Sequence, residues 1–150
     1  MTSSLLKEDV YRLSKLFSSK KSAARTKGVR FEFKDVNDFV SWWQSEFDIQ
    51  NRACAYCRTR IDLIACLIEK HDLPARKLRG GAYRGPVLEL DRKDPKGPYS
   101  KENCALVCYY CNNDKSYTYD AATYEEFFGP SRKRHFDVLA AKYDIDPDTL

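Results

Sequence analysis

Two Cys-x-x-Cys pairs constrain this chain more than any other feature. Cys54-Ala-Tyr-Cys57 lies near the middle and Cys108-Tyr-Tyr-Cys111 about fifty residues further on. Each pair is a knuckle that offers two thiolates to one ion, and two knuckles complete a tetrahedron, the coordination of a four-Cys zinc site. Four thiolates leave no open position, so the zinc is structural. Any fold of this chain has to bring residues 54–57 and 108–111 together. The two remaining cysteines, Cys66 and Cys104, fall in helix-like and strand-like patterns and read as small core residues. Six cysteines are also compatible with three disulfides in a secreted chain. The opening residues "MTSSLLKEDVYRLSKLF" lack the basic-then-apolar layout of a signal peptide, however. A metal site in an intracellular, cytoplasmic protein is the expectation, and no apolar run approaches a membrane span.

The 150 residues suit a single domain, 1–150, and the 43% apolar share suffices for a core. An aromatic share of 13% excludes a disordered chain. The net charge of +4 is modest, but it is unevenly spread. Residues 1–30 hold Lys7, Arg12, Lys15, Lys20, Lys21, Arg25, Lys27 and Arg30 against Glu8 and Asp9, and residues 58–84 add Arg76, Lys77, Arg79 and Arg84 among others. Acidic residues close the chain at Asp144, Asp146 and Asp148. Basic clusters on a near-neutral chain point to a polyanion, most simply nucleic acid, although solvated surface accounts for such clusters too.

Residues 4–19 carry Leu5, Leu6, Val10, Leu13, Leu16 and Phe17 at helical spacing, with Ser3 or Ser4 as N-cap. A basic arm, Lys20 to Lys27, follows and is broken by Gly28, so 1–34 reads as an N-terminal helix and arm. "VRFEF" alternates like a short strand. Asp35 or Asn37 caps a helix whose apolar side is Phe39, Val40, Trp42, Trp43 and Phe47. Those aromatics read as core before they read as a base-stacking platform. After the first knuckle, residues 61–72 are helical. "ARKLRGGAYRGP" is a basic, glycine-rich loop. "VLELD" and "CALVC" are strands, with Glu89 and Asp91 on one face of the first. "YYCNNDKSY" opens a helix. "TYEEFFG" is a further helical turn ended by Gly129-Pro130, and residues 131–143 form a last helix capped by Ser131. The fold class is therefore α+β, with more helix than sheet.

The segments "CAYC" and "LELDRKDPKGPYSKENCALVCYYCNNDKS" together resemble the HNH endonucleases of the ββα-metal group. Their shared pattern is a Cys-x-x-Cys, an Asp-His at a strand end, a loop closing in Asn, a second strand, and a Cys-x-x-Cys-Asn at a helix start. The likeness spans roughly 54–57 and 88–116, about a fifth of the chain, within a zinc-clipped core at 54–116 flanked by C-terminal helices at 117–150. It implies a small ββα-metal finger surrounded by helices, acting in a bacterial or phage-infected cell. It also implies that Asp91 and Asn112 hold a catalytic Mg²⁺ or Mn²⁺, Asn113 being the less favoured register. Asn103 would tie the loop together, and Lys115 would sit near the phosphate. The reaction implied is hydrolysis of DNA phosphodiester bonds to a 5′-phosphate and a 3′-hydroxyl.

One position departs from the pattern: the residue after Asp91, where the family carries its general base, is Arg92. Arginine takes up no proton at a working pH, and general-base catalysis is worth about 10²–10⁴ in rate. Three explanations stand. Glu89, on the same strand face as Asp91, is the base, or holds metal while Asp91 acts as base. Alternatively, the ion alone acidifies the attacking water while Arg92 stabilises phosphorane charge. Or the site is inactive and the chain is a zinc-containing nucleic-acid-binding protein. His71 and His135 lie outside the finger and read as ordinary surface or satisfied histidines. Lys20, Lys21, Arg25, Lys27, Arg76, Lys77, Arg79, Arg84 and Lys115 are the candidate phosphate contacts, on duplex, branched or single-stranded DNA. Val10, Leu13 and Phe17 offer either a small homodimer face or core.

Overall fold

The computed structural model describes residues 7–70, 73–79 and 83–150. The proposed caps Ser3 and Ser4, with Leu5, Leu6 and His71, lie outside them. Helix α1 runs from Lys7 to Lys27, so the basic segment expected as an arm is helical. Ser22, Ala23 and Ala24 permit it, and Ala24 is buried against the core. Gly28 closes the helix at φ +69°, with Val29 N–H returning to the Ala24 carbonyl at 2.9 Å, the left-handed C-terminal stop that glycine favours. "VRFEF" keeps its alternation, with Phe33 buried and Arg30 and Glu32 exposed. It pairs only through a parallel bridge from Phe31 to Tyr99, not as a strand.

Helix α2, Val36–Ile49, starts at Asp35, whose carboxylate accepts from Asp38 N–H at 2.8 Å. Its face of Phe39, Trp42 and Trp43 packs with Phe17 and Phe33, ring centroids 5.0–6.1 Å apart among these partners. These aromatics are core, as the burial habit of such residues implied. Leu13 and Phe17 are buried in it as well, which removes them from any dimer face.

Helix α3, Ile61–Glu69, leads to a two-residue antiparallel pair, β1 (Arg76–Lys77) and β2 (Tyr83–Arg84), inside the segment expected as a loop. Strands β3 (Glu89–Arg92) and β4 (Cys104–Val107) form the central hairpin, with Leu90 opposite Leu106 and Asp91 opposite Ala105. β4 is buried throughout, so its backbone needs a partner on the outer edge as well. The Gln50 amide supplies one, giving its Nε2–H to the Leu106 carbonyl at 2.8 Å and taking Leu106 N–H at 3.3 Å. Ala55 N–H of the first knuckle adds a bond to the same carbonyl at 3.0 Å. Helix α4, Tyr109–Lys115, lies on β3.

Helices α5 (Ala121–Phe127) and α6 (Gly129–Lys142) close the molecule. Gly129-Pro130 begins α6 rather than ending α5, because proline suits the first helical turn, where its missing N–H costs nothing. Gly129 has a second reason to be glycine: a Cβ there would stand 2.7 Å from the Tyr56 carbonyl. The start of α6 is thus seated directly on the backbone of the first knuckle. Gly129→Ala should force α6 off that knuckle and cost about 1–3 kcal/mol, read as a lower midpoint in urea unfolding.

Candidate active site

The two knuckles converge as the cysteine spacing demanded. The Sγ atoms of Cys54, Cys57, Cys108 and Cys111 lie within 4.8 Å of one another and all four residues are buried. Tetrahedral zinc with bonds of about 2.3 Å sets sulfurs about 3.8 Å apart, so the cluster fits a structural zinc. Local geometry prepares it: Tyr56 N–H points to Cys54 Sγ and Cys111 N–H to Cys108 Sγ, each at 3.4 Å. The bond from Cys108 chiefly holds the Cys57 thiol well below the usual range, while burial pushes Cys108 up. Four sulfurs this close share protons unevenly, and only a cation lets all of them ionise. Cys104 is buried in β4, its thiol pushed up to about 12 by burial, and Cys66 sits in α3; neither joins the cluster.

Beside the clip, β3, α4 and α1 enclose a cleft of about 700 Å³. Glu89, Asp91 and Arg92 line it from β3, Asn112 and Asn113 from α4, and Arg12, Lys15 and Lys20 from α1. Asp91 is only 8% exposed. Its Oδ2 accepts from the Tyr56 hydroxyl at 2.7 Å and pairs with Lys115 Nζ at 3.0 Å. Both bonds fall on one oxygen, so Oδ1 is the atom Asp91 can turn to the cleft. Lys115 is fully buried, and its ammonium also donates to the Arg92 carbonyl at 2.8 Å. It was expected beside the phosphate; it lies beneath Asp91 instead, as the internal counter-charge that a buried carboxylate requires.

Asn112 donates Nδ2–H to Glu89 Oε1 at 2.9 Å, which leaves the amide carbonyl as its free ligand atom. Glu89 in turn receives Arg84 on both oxygens, Nε to Oε2 at 2.8 Å and Nη2 to Oε1 at 2.5 Å. Both Glu89 oxygens are engaged, by a guanidinium fork and an amide. Glu89, expected as the base or as a metal holder beside Asp91, thus contacts Asn112 and Arg84. Asn103 ties the loop together as the resemblance implied: its amide donates to the Asp94 and Pro98 carbonyls at 3.1 and 2.9 Å and accepts from Asp94 N–H at 3.0 Å. It does not line the cleft.

Arg92 is 7% exposed. It donates to the Gly97 carbonyl at 2.9 Å and lies over the rings of Tyr99 and Tyr117, 4.8 and 5.9 Å from their centroids. Lys27 reaches the Tyr117 hydroxyl at 3.4 Å and Lys20 stands 6.0 Å from the Tyr99 ring. Of the expected phosphate contacts, Lys20 and Arg84 line the cleft. Lys21, Arg25 and Lys27 lie exposed on α1, and Arg76, Lys77 and Arg79 lie exposed around β1, off the cleft. Arg12 and Lys15 were passed over as site residues although the one-sided spacing of α1 carries the signal. Among the described residues, none lining the cleft is a histidine; His135 lies in a separate pocket beside Asp114 and Arg132.

A scan of protein-family models finds no match, and a search of curated proteins finds none either. A solved structure that does match is the rare-cutting HNH restriction endonuclease PacI, described for its perturbation of DNA. The TM-score is 0.61 at 22% identity, over 80% of this chain and 75% of that one. The fold is accordingly HNH ββα-like: a two-stranded antiparallel hairpin, a following helix and a buried four-Cys cluster, set among further helices. Among the described residues no helix is long and apolar enough to cross a membrane.

Zinc removal supplies the first check on this site. Cys108→Ser, or a strong chelator, should abolish cooperative unfolding, because the hairpin and the first knuckle lose their common anchor. Far-UV circular dichroism with a zinc assay reads both changes at once.

Proposed function

We propose that the protein is a metal-dependent endonuclease that hydrolyses phosphodiester bonds in DNA, with a structural zinc in the four-Cys cluster. One observation carries the reading: Asp91, Arg92 and Asn112 line the same cleft as the basic wall of α1. Two hard oxygen donors, the Asp91 carboxylate and the Asn112 carbonyl, suit Mg²⁺ or Mn²⁺, which keeps most of its waters. A divalent ion held there supplies Lewis-acid stabilisation of charge on a phosphate oxygen. Arg92 brings a permanent cation, fixed between Tyr99 and Tyr117, to offset the charge that develops on the phosphorus centre. Glu89 and Arg84 hold the Asn112 amide in its donating orientation. Arg12, Lys15 and Lys20 grip the backbone and set affinity without reading sequence.

A second reading, a zinc-containing protein that binds DNA without cutting it, is favoured by the absence of a histidine among the described cleft residues. Cleavage of supercoiled plasmid with Mg²⁺, Mn²⁺ or EDTA separates the two. Under the nuclease reading, wild type nicks with metal, and Asp91→Ala loses cutting by at least about 10²-fold while its DNA affinity changes little. Binding without metal-dependent cutting on duplex or branched DNA would leave the second reading standing. Lys15→Ala with Lys20→Ala should make the logarithmic salt dependence of DNA affinity shallower by about two, close to one per phosphate contact removed.

A further inference from the structure

We infer that Tyr56, the residue between the two cysteines of the first knuckle, is a positioning residue for the divalent-metal ligand Asp91. The zinc clip would then set the catalytic carboxylate as well as hold the fold. The inference rests on the proposed role of Asp91. Its geometry is independent of the cleft: Tyr56 reaches Asp91 from the zinc side, hydroxyl to Oδ2 at 2.7 Å.

Tyr56 is fixed on every side that matters. Its N–H points to the Cys54 sulfur. Its ring packs against Tyr124 at 5.6 Å. Its carbonyl lies where Gly129 leaves room for no side chain beyond hydrogen. The neighbouring Ala55 N–H is bonded to β4. With backbone and ring both held, the hydroxyl is delivered to one place. There it shares Oδ2 with Lys115, so two donors, one from each side of the clip, pin a single oxygen. A carboxylate pinned through Oδ2 cannot rotate about its own axis, and Oδ1 keeps one direction. The phenol hydroxyl is the donor and the Asp91 carboxylate the acceptor in this bond. Tyrosines in cores bury their ring for area and satisfy their hydroxyl wherever they can. Here the hydroxyl lands on the one buried carboxylate that lines the cleft.

Partners that orient a metal ligand are worth about 10- to 100-fold in metal affinity. The test is Mn²⁺ binding to the full, zinc-loaded chain, followed by the electron paramagnetic resonance of free Mn²⁺. Zinc content is measured on the same samples, for wild type, Tyr56→Phe and Asp91→Ala. The expected result is one zinc per chain in Tyr56→Phe, an Mn²⁺ affinity about ten-fold weaker than wild type, and cleavage that returns as Mn²⁺ is raised. Unchanged Mn²⁺ affinity in Tyr56→Phe, with wild type binding and Asp91→Ala not, overturns the inference and leaves the nuclease reading intact. No Mn²⁺ binding by wild type overturns both. If Tyr56→Phe sheds its zinc, para-fluorophenylalanine at position 56 keeps the ring volume without a donor and carries the same comparison.

Discussion

The four sulfurs of Cys54, Cys57, Cys108 and Cys111 are the constraint on which the rest of this structure depends. They join a knuckle that follows α2 to the junction of β4 and α4, segments about fifty residues apart in the chain. A hairpin of four-residue strands is marginal by itself in water. Here one strand is buried on both faces, edged by the Gln50 amide and the knuckle backbone, and continued into a helix whose first turn belongs to the clip. Ordering those pieces together is costly in chain entropy, and a zinc ion held by the four thiolates would supply free energy to offset it. The candidate site residues then hang from the short assembly: Asp91 on β3, Asn112 on α4, and Tyr56 on the knuckle itself.

The cleft also shows how charge is arranged in layers. Beneath it lie Lys115 and Tyr56, which neutralise and orient Asp91 from the protein side. At its floor are Asp91, Arg92 and Asn112. Above it, α1 contributes Arg12, Lys15 and Lys20. The internal lysine matters because a buried carboxylate needs a counter-charge supplied from within the protein. The outer lysines would act on the proposed DNA substrate at long range and hold a phosphate chain without regard to sequence. Arg92, standing where a proton acceptor is the familiar choice, belongs to the same logic: its tyrosine cradle and the Gly97 carbonyl fix a charge, not a base.

Much of the candidate site was legible along the chain, and the misses share a cause. Asp91, Arg92 and Asn112 sit in one compact segment whose spacing survives folding, and Asn103 does its loop-tying with neighbours less than ten positions away. Lys115 was misplaced because the sequence shows a charge but not which way the helix turns it. Glu89 was read as base or metal holder, and the sequence did not show that Arg84 and Asn112 both bond to it. Nothing local marks Tyr56, since its partner lies 35 residues downstream. The helical character of Lys20 to Lys27 was obscured by charge, which propensity tolerates well when the opposite face is buried.

By itself the sequence determined the four-Cys clip, the order strand, loop, strand, helix, the aromatic core of α2 and the identity of the residues that carry charge. Those follow from local chemistry: ligand spacing, alternation and caps. Only the tertiary structure decided which of those charges meet. It paired Lys115 with Asp91, saturated Glu89 with Arg84 and Asn112, seated Gly129 on the knuckle carbonyl, and brought α1 over the cleft. Apart from Arg84 and Glu89, which are five residues apart, these are contacts between distant segments, set by packing and burial, and no local pattern encodes their direction.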